Sequence, residues 1–187
     1  MRIITGSARG RKLKTLPGLN TRPTADKIKG AIFNVLGAKI LGSKILDLFA
    51  GSGALALEAL SRGADSAVLV ENSPQACRVI AENIVLTAFN DKTRLLKRNA
   101  FSALRDLVGE RFDIIFVDPP YRRGLALASL EILADKNYLT PDAVIIAETS
   151  REEEIPVEIG IINLHKRVVY GDTTIWYYQP AETGGSR

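Results

Sequence analysis

The motif Asp118-Pro119-Pro120-Tyr121 could activate an exocyclic amine of a nucleobase. Such an amine is a poor nucleophile because its lone pair is delocalised into the ring. The Asp118 carboxylate and the Pro119 carbonyl can each accept one of its N–H groups, and the two prolines limit loop reorganisation as charge develops. Tyr121 can stack on the base, which is worth roughly 1–3 kcal/mol. This chemistry requires an unpaired or flipped base, but neither a metal nor a covalent nucleophile.

A second motif has the pattern of a nucleotide-binding loop. Gly51, Gly53 and Ala56 fit the spacing G-x-G-x-x-G/A, and Glu71 follows about twenty residues later, where an acid can bind ribose hydroxyls. This pattern alone also fits NAD. Asp47 lies within the predicted strand before the loop, where its carboxylate can face a cationic ligand. S-adenosylmethionine carries a sulfonium and an amino group, and therefore fits better than NAD.

Predicted strands and helices alternate, and each of the two motifs follows a strand. This alternation indicates a parallel, doubly wound α/β sheet, in which ligands bind at the carboxyl ends of the strands. We predict strands over 44–49, 66–71, 93–97, 112–118 and 143–148. We predict helices over 24–38, 53–62, 74–88, 101–108 and 124–135.

Both ends of the chain depart from this alternation. The runs 161–170 and 173–179 are strand-like and flank Gly171-Asp172, which is typical of a tight hairpin, so the predicted sheet has seven strands and is mainly parallel. Short apolar segments around Gly6 to Gly10 predict a small N-terminal β-hairpin. The predicted organisation is a basic hairpin arm over 1–20, a catalytic domain over 21–180 and a flexible tail over 181–187.

Positive charge is concentrated near the N-terminus. Residues 1–44 hold ten lysines and arginines against one acid, a net charge of +9, whereas the rest of the chain carries −5. Such a segment is a candidate contact for a nucleic-acid backbone, and the alternative is a solvated basic surface. Lys27 and Lys29 lie off the apolar stripe of the first predicted helix, so we expect both to show their charge. The predicted arm carries Arg9, Arg11, Lys12 and Lys14.

Composition argues against several other classes of protein. Cys77 and His165 are the only residues of their kinds, so we expect no disulfide framework and no metal site. The N-terminal segment lacks the apolar core of a signal peptide, and no apolar run is long enough to span a bilayer. We therefore expect a cytoplasmic protein, and a monomer because no spare apolar face stands out.

Taken in order, these motifs resemble those of class I S-adenosylmethionine-dependent methyltransferases. The segment Asp47-Leu48-Phe49-Ala50-Gly51-Ser52-Gly53 is similar to their glycine loop, and Glu71 matches their ribose-binding acid. Asp118 to Tyr121 resembles the [DN]-P-P-[YFW] signature of methyltransferases that act on adenine N6, guanine N2, cytosine N4 or glutamine. The resemblance implies a Rossmann-like fold with a seven-stranded sheet and an antiparallel last strand.

Further segments resemble the RsmD family, the bacterial 16S ribosomal RNA guanine-N2 methyltransferases. These segments are Arg2 to Ile4, Arg9 to Leu13, Thr21 to Thr24, Phe33-Asn34 and Glu58 to Ala64, and the likeness covers residues 2–122. The resemblance implies that the substrate is one guanine of 16S rRNA, on the assembled or assembling small subunit, and that the cofactor is S-adenosylmethionine.

The resemblance also implies roles for individual residues. Asp118, Pro119, Pro120 and Tyr121 would act on the amine, and Asn99 stands where the family has an acid near the cofactor adenine. The implied cofactor-binding residues are Asp47, Phe49, Ala50, Gly51, Ser52, Gly53, Glu71, Asn72, Asn99 and Ala100. The implied RNA-binding residues are Arg9, Arg11, Lys12, Lys14, Arg22 and Arg122.

Three other functions stay open at the level of sequence. A DNA adenine-N6 methyltransferase would share the chemistry, although no separate segment for reading duplex sequence is evident. A non-catalytic RNA-binding module would have no need of the intact motif from Asp118 to Tyr121. An NAD-dependent oxidoreductase would need a proton-transfer residue beside the glycine loop, and none is evident.

Overall fold

The computed structural model describes residues 1–16, 23–135 and 137–181 and contains two compact units, Met1–Asp106 and Leu107–Arg187. Arg22 and residues 182–187 of the predicted tail lie outside the described residues. No helix within the described ranges combines the length and the apolar character that crossing a membrane requires.

The first unit is an α/β unit with three parallel strands, of which β2 is the middle one. The strands are β1 (Lys44–Asp47), β2 (Ser66–Glu71) and β3 (Thr93–Lys97). The helices are α1 (Pro23–Leu36), α2 (Ala54–Ser61), α3 (Pro74–Thr87) and α4 (Ala100–Asp106), with short 3-10 turns at Gly37–Ile40 and Asn90–Lys92.

These strands form because their residues are apolar on both faces, as parallel strands covered by helices require. Ile45, Leu46, Leu69 and Val70 are fully buried. The predicted bounds of β2 and β3 are confirmed, whereas β1 is shorter than predicted and ends at Asp47. The glycine loop therefore begins directly after an acid.

Helix α3 begins where local sequence signals predict it. The Ser73 hydroxyl oxygen accepts a hydrogen bond from the Ala76 N–H at 3.4 Å, and Pro74 occupies the first helical position. The helix ends at Thr87, before Ala88 in the left-handed conformation with φ of 61°. These signals place the start of α3 directly after β2 and its terminal acid.

The N-terminal arm, defined here as residues 1–16, folds back on itself with less pairing than predicted. It has one isolated antiparallel bridge, between Arg2 and Lys12, rather than two strands. Gly6 and Gly10 have positive φ angles of 90° and 83° and make the turn. The ladder stays short because the N–H groups of Ile4 and Thr5 donate to a side chain of α2 instead.

The second unit combines one parallel strand pair with an antiparallel extension. Its strands are β4 (Phe112–Val117), β5 (Leu139–Ser150), β6 (Glu158–Ile159), β7 (Ile162–Tyr170) and β8 (Thr173–Pro180), and its helix is α5 (Leu125–Leu133). They lie in the order β4-β5-β8-β7-β6, with β4 and β5 parallel and every other pair antiparallel.

The structure confirms the predicted α/β class and the terminal hairpin, but not the predicted number of strands. Tyr170 pairs with Thr173 across Gly171-Asp172, as the tight-turn signal indicated. The described residues hold eight strands rather than seven, because the two-residue β6 also pairs with β7. A strand of two residues is too short to show an alternating pattern, so the sequence contained no signal for it.

Candidate functional site

The carboxylate of Glu71 joins the glycine loop to the end of β2. Its Oε2 accepts a hydrogen bond from the Gly51 N–H at 3.0 Å, and its Oε1 accepts from the N–H groups of Asn72 and Ser73, each at 2.8 Å. Because a carboxylate has roughly four lone-pair positions, capacity remains for one more donor such as a ligand hydroxyl. The predicted ribose-binding acid is therefore held rigidly against the loop.

Asp47 is a buried acid with one unpaired oxygen. Its side chain is 1% exposed, and its Oδ1 has no hydrogen-bond partner in the described structure. Burial raises its pKa to about 7, the charge of Glu71 adds to this, and the N–H groups of Ala56 and Phe49 oppose it by donating to the carboxylate. A buried acceptor without a partner costs free energy, so this oxygen suits a cationic donor such as an amino group.

The glycine loop also leaves space for a ligand beside its backbone. Gly51 has a φ of 55°, and a Cβ placed there would meet no atom within 4 Å. At Gly53 a Cβ would lie 3.1 Å from the Leu69 side chain, so this position requires glycine for packing as well as for its φ of 78°. The Ala50 N–H donates to the Val70 carbonyl at 2.9 Å, which fixes the start of the loop against β2.

A cavity of about 330 Å³ adjoins Glu71 in the first unit. Its size falls within the range of small-molecule sites. It is lined by Asn72, Pro74, Cys77, Arg78 and Lys97, of which only Asn72 was predicted. The strand register identifies one of the others, since Lys97 pairs directly with Glu71. Together with the loop, these residues can hold a nucleoside and a charged amino acid portion, so the site fits S-adenosylmethionine.

Asn99 and Ala100 stand at the start of α4. The Asn99 Oδ1 accepts a hydrogen bond from the Ser102 N–H at 2.8 Å and so caps this helix. Ala100 is buried as the first residue of the helix. In the predicted contact, an adenine amine would therefore have to share the Asn99 Oδ1 with the Ser102 N–H.

In the second unit, Tyr121 is tethered through its hydroxyl. The phenol donates a hydrogen bond to Glu148 Oε1 on β5, and it lies 3.1 Å from the Thr173 hydroxyl on β8. Burial raises the pKa of Tyr121, and the nearby Glu148 charge adds to this. Burial also raises the pKa of Glu148. The residue as a whole is 39% exposed, so Tyr121 is held in place and still accessible to a ligand.

Tyr121 is the last residue of a loop that follows β4. We call this segment, Asp118 to Tyr121, the acceptor loop. Asp118 is half-buried, Pro119 is buried and Pro120 is exposed. Arg122 follows with a φ of 60°, and its N–H donates to Glu153 Oε1 at 2.9 Å. Its guanidinium pairs with Glu152 at 2.8 Å, so this predicted RNA-binding residue already has an acidic partner.

The arm is anchored on α2 by a buried acid that we did not predict. Glu58 is 0% exposed and accepts from the N–H groups of Ile4 at 2.8 Å and Thr5 at 3.1 Å. It also pairs with Lys29 at 3.1 Å and with Arg62 at 2.8 Å. The expectation that Lys29 shows its charge at the surface is therefore wrong, because Glu58 and the Arg2 carbonyl bind its ammonium in the interior.

Asn83 on α3 joins the arm to the glycine loop. Its Oδ1 accepts from the Lys14 N–H at 2.8 Å, and its Nδ2 donates to the carbonyls of Lys14 at 3.0 Å and Ser52 at 2.9 Å. The side chain is fully buried, yet its polar atoms are paired. No local pattern could have identified this residue, because its partners lie 69 and 31 positions away in the chain.

With the arm held in this way, its basic side chains remain on the surface. Arg9, Arg11, Lys12 and Lys14 are all exposed. Arg11 donates to the Leu86 carbonyl, and Lys14 pairs with Glu82 at 2.8 Å, so two of the four also contact α3. The arm therefore presents a cluster of positive charge on a fixed backbone.

Comparisons with known proteins found a matching family model and similar sequences. The family model named Conserved hypothetical protein 95 matches residues 1–179. The chain is 38% identical to Ribosomal RNA small subunit methyltransferase D of Escherichia coli, over 100% of this chain and 93% of that protein. The corresponding protein of Haemophilus influenzae is 34% identical, over 83% of this chain and 81% of its own.

Solved structures show the same likeness. The Escherichia coli protein yhhF has a TM-score of 0.83 and 38% identity, over 97% of this chain and 98% of that chain. An RNA methyltransferase from Salinibacter ruber in complex with S-adenosyl-L-homocysteine has a TM-score of 0.64, over 86% of this chain and 95% of that chain. At 13% identity this second likeness concerns the fold alone.

Proposed function

The chain belongs to the RsmD family, and on that premise we propose that it transfers a methyl group from S-adenosylmethionine to the N2 amine of a guanine in 16S ribosomal RNA. Family membership supports the coarser activity, which is S-adenosylmethionine-dependent methylation of ribosomal RNA. The guanine, its N2 atom and the small subunit as the form of the substrate are the finer proposal. A monomeric state and a cytoplasmic location belong to this proposal as well.

The observation that carries the proposal is the acceptor loop from Asp118 to Tyr121, whose ring is tethered by Glu148 and Thr173. A fixed aromatic ring can hold one flipped base by stacking. The Asp118 carboxylate and the Pro119 carbonyl then accept the two amine hydrogens, which directs the nitrogen lone pair away from the base ring. The loop thus lowers the barrier by orientation, without a covalent intermediate.

On the cofactor side, residues of the first unit would hold the ligand by charge and hydrogen bonds. The unpaired Asp47 Oδ1 would accept from the methionine amino group, and Glu71 would accept from a ribose hydroxyl. When bound, S-adenosylmethionine supplies an electrophilic methyl group on a sulfonium. The amine nitrogen would take this methyl group, and Asp118 or water would accept the surplus proton of the nitrogen.

The exposed basic residues of the arm support an RNA substrate. Arg9, Arg11, Lys12 and Lys14 can contact phosphates, which position a substrate without specifying its sequence. Because Glu58 and Asn83 hold the arm, binding would not have to order a loose segment first. Arg22 lies outside the described residues, and its role in RNA binding stays a prediction.

A methyl-transfer assay with three substrates tests the proposal. Radiolabelled S-adenosylmethionine is supplied with small ribosomal subunits lacking the modification, naked 16S rRNA or duplex DNA, and the product nucleosides are separated. We expect N2-methylguanosine from subunits. If the product were N6-methyladenine from DNA, the proposed substrate would be wrong. If the cofactor bound but none of the three substrates were labelled, the proposed reaction would be wrong.

A matched pair of variants tests the acceptor loop in the same assay. Asp118→Ala removes the carboxylate that polarises the amine, so we expect turnover to fall by roughly 100-fold or more, a typical cost of losing a preorganised hydrogen-bonding group, with cofactor affinity unchanged. Asp91→Ala removes an acid from an exposed 3-10 turn and should leave turnover unchanged. Activity of Asp118→Ala within about threefold of the unmodified protein would contradict the polarising role.

A further inference from the structure

Glu148 is an acid beside the acceptor loop to which the mechanism above gives no direct role. The parallel register of β4 and β5 pairs Val117 with Ala147. Asp118 directly follows β4, and Glu148 directly follows Ala147 within β5, so the two acids lie at the same end of the paired strands. Besides burial, the charges of both raise the pKa of Tyr121, which shows that both lie near its hydroxyl. Both lie on the side of the second unit that carries Tyr121.

The two carboxylate oxygens of Glu148 differ in their hydrogen bonds. Oε1 accepts from the Tyr121 hydroxyl, which the Thr173 hydroxyl also contacts. Oε2 has no hydrogen-bond partner, and the carboxylate has no cation as partner, among the residues that the structure describes. Oε2 is not among the buried polar atoms that lack a partner, so it is open to solvent and can accept from a donor that a ligand supplies.

The three nucleobases with an exocyclic amine differ in the ring nitrogens beside it. Guanine N2 has the N1–H donor next to it, whereas adenine N6 and cytosine N4 are flanked by ring nitrogens that only accept. With Asp118 and the Pro119 carbonyl accepting the two amine hydrogens, the Glu148 carboxylate on β5 can accept from a donor beside the amine. A base with a ring N–H next to its exocyclic amine supplies that donor. Guanine is the only base of the three that offers one.

We propose that Glu148 Oε2 accepts a hydrogen bond from the N1–H of the target guanine and thereby selects guanine over adenine and cytosine. This inference rests on the function proposed above. Tyr121 connects the stacking of the base with the selection of guanine, because the hydroxyl that fixes its ring also fixes the orientation of the Glu148 carboxylate. An adenine placed in the same way would turn the lone pair of its N1 toward this carboxylate and be rejected.

The experiment changes the two partners of this hydrogen bond in turn, first the base and then the Glu148 side chain. Small subunits are reconstituted with 16S rRNA that carries either guanine or 2-aminopurine at the methylated position. The 2-aminopurine base keeps the exocyclic amine but has an unprotonated N1. We expect the unmodified protein to prefer guanine by roughly 10- to 100-fold in kcat/KM, the usual range for a hydrogen bond to a charged group.

The variant Glu148→Gln should reverse this preference. The Tyr121 hydroxyl would still donate to the amide oxygen, which leaves the amide N–H₂ facing the base. That group can donate to N1 of 2-aminopurine but opposes the N1–H of guanine. Glu148→Ala should remove the preference altogether, and it provides the test if the glutamine variant fails to fold. Glu158→Gln, at an exposed position of β6, is the matched control.

The outcomes separate this inference from the proposed function. A loss of activity by the same factor on both substrates, with the guanine preference kept in Glu148→Gln and Glu148→Ala, would show that Glu148 only supports Tyr121 and would overturn the inference. Thr173→Val, which loosens the tether alone, should produce this equal loss. Failure of the unmodified protein to methylate guanine N2 would instead overturn the proposed function before any variant is made.

Discussion

The buried side chain of Asn83 donates a hydrogen bond of 2.9 Å to the carbonyl of Ser52 in the glycine loop. The same amide binds the backbone of Lys14 in the arm through two further hydrogen bonds. One residue of α3 therefore holds both a predicted RNA-binding segment and a predicted cofactor-binding loop.

Asn83→Ala should weaken the binding of S-adenosylmethionine and lower stability together. The change removes three partly buried hydrogen bonds to the backbone of Ser52 and Lys14, each worth roughly 0.5–1.5 kcal/mol. Titration calorimetry and denaturant unfolding measure the two effects. Asn163→Ala, at an exposed position of β7, is the control. An unchanged cofactor affinity would show that the loop holds its shape without Asn83.

Asp47 should make the ligand-free protein less stable as pH rises from 4 toward 7. Its pKa in the folded state is about 7, above its ordinary value of 3.8, so the folded state binds more protons than the unfolded state in this window and loses stability as pH rises through it. Asp47→Asn removes this contribution, so it should raise the melting temperature at pH 8 and leave it nearly unchanged at pH 4. Thermal unfolding of both proteins at several pH values measures the difference.

The same acid should couple cofactor binding to pH. A cationic amino group favours the charged carboxylate, so binding of S-adenosylmethionine should tighten as pH rises through about 7 and should release protons below it. Calorimetry in two buffers of different ionisation enthalpy counts these protons. In Asp47→Asn we expect weaker binding and no such release, and a release that persists in this variant would assign it to another group.

Glu58→Ala should destabilise the first unit by about 3–5 kcal/mol, because it leaves the buried Lys29 ammonium without its acid. The double variant Glu58→Ala/Lys29→Met removes both charges and should be more stable than the single variant. Denaturant unfolding measures both, with Glu158→Ala as an exposed control. A double variant that is less stable than Glu58→Ala would contradict the view that the unpaired charge dominates the loss.

Neutralising the arm should flatten the salt dependence of RNA binding. Each phosphate contact contributes about 0.7 to the slope of log K against log salt on single strands, so the change of four charges should lower the slope by up to about 3. The variant replaces Arg9, Arg11, Lys12 and Lys14 with glutamine, and the control makes the same change at Lys92, Arg105, Arg111 and Lys166, which are exposed elsewhere. Equal slopes in the two variants would assign the arm another role.

Local patterns predicted most of the elements that carry the two motifs. The apolar run of β2, the Ser73-Pro74 helix start and the Gly171-Asp172 turn act through neighbouring residues, and the structure confirms all three. The strand count was wrong because β6 is only two residues long. The roles assigned to Asp47, Glu71 and the acceptor loop from Asp118 to Tyr121 stay predictions, which the experiments above test.

Residues close together in the chain were enough to predict the α/β class, the family and the positions of the glycine loop and the acceptor loop. The pairing of polar side chains in the interior could be read only from the folded chain. Glu58 binds the arm from 54 positions away, Asn83 binds it from 69, and Glu148 reaches Tyr121 across 27. A buried hydrogen bond needs both partners in place, and for these pairs the folded backbone alone brings them within reach.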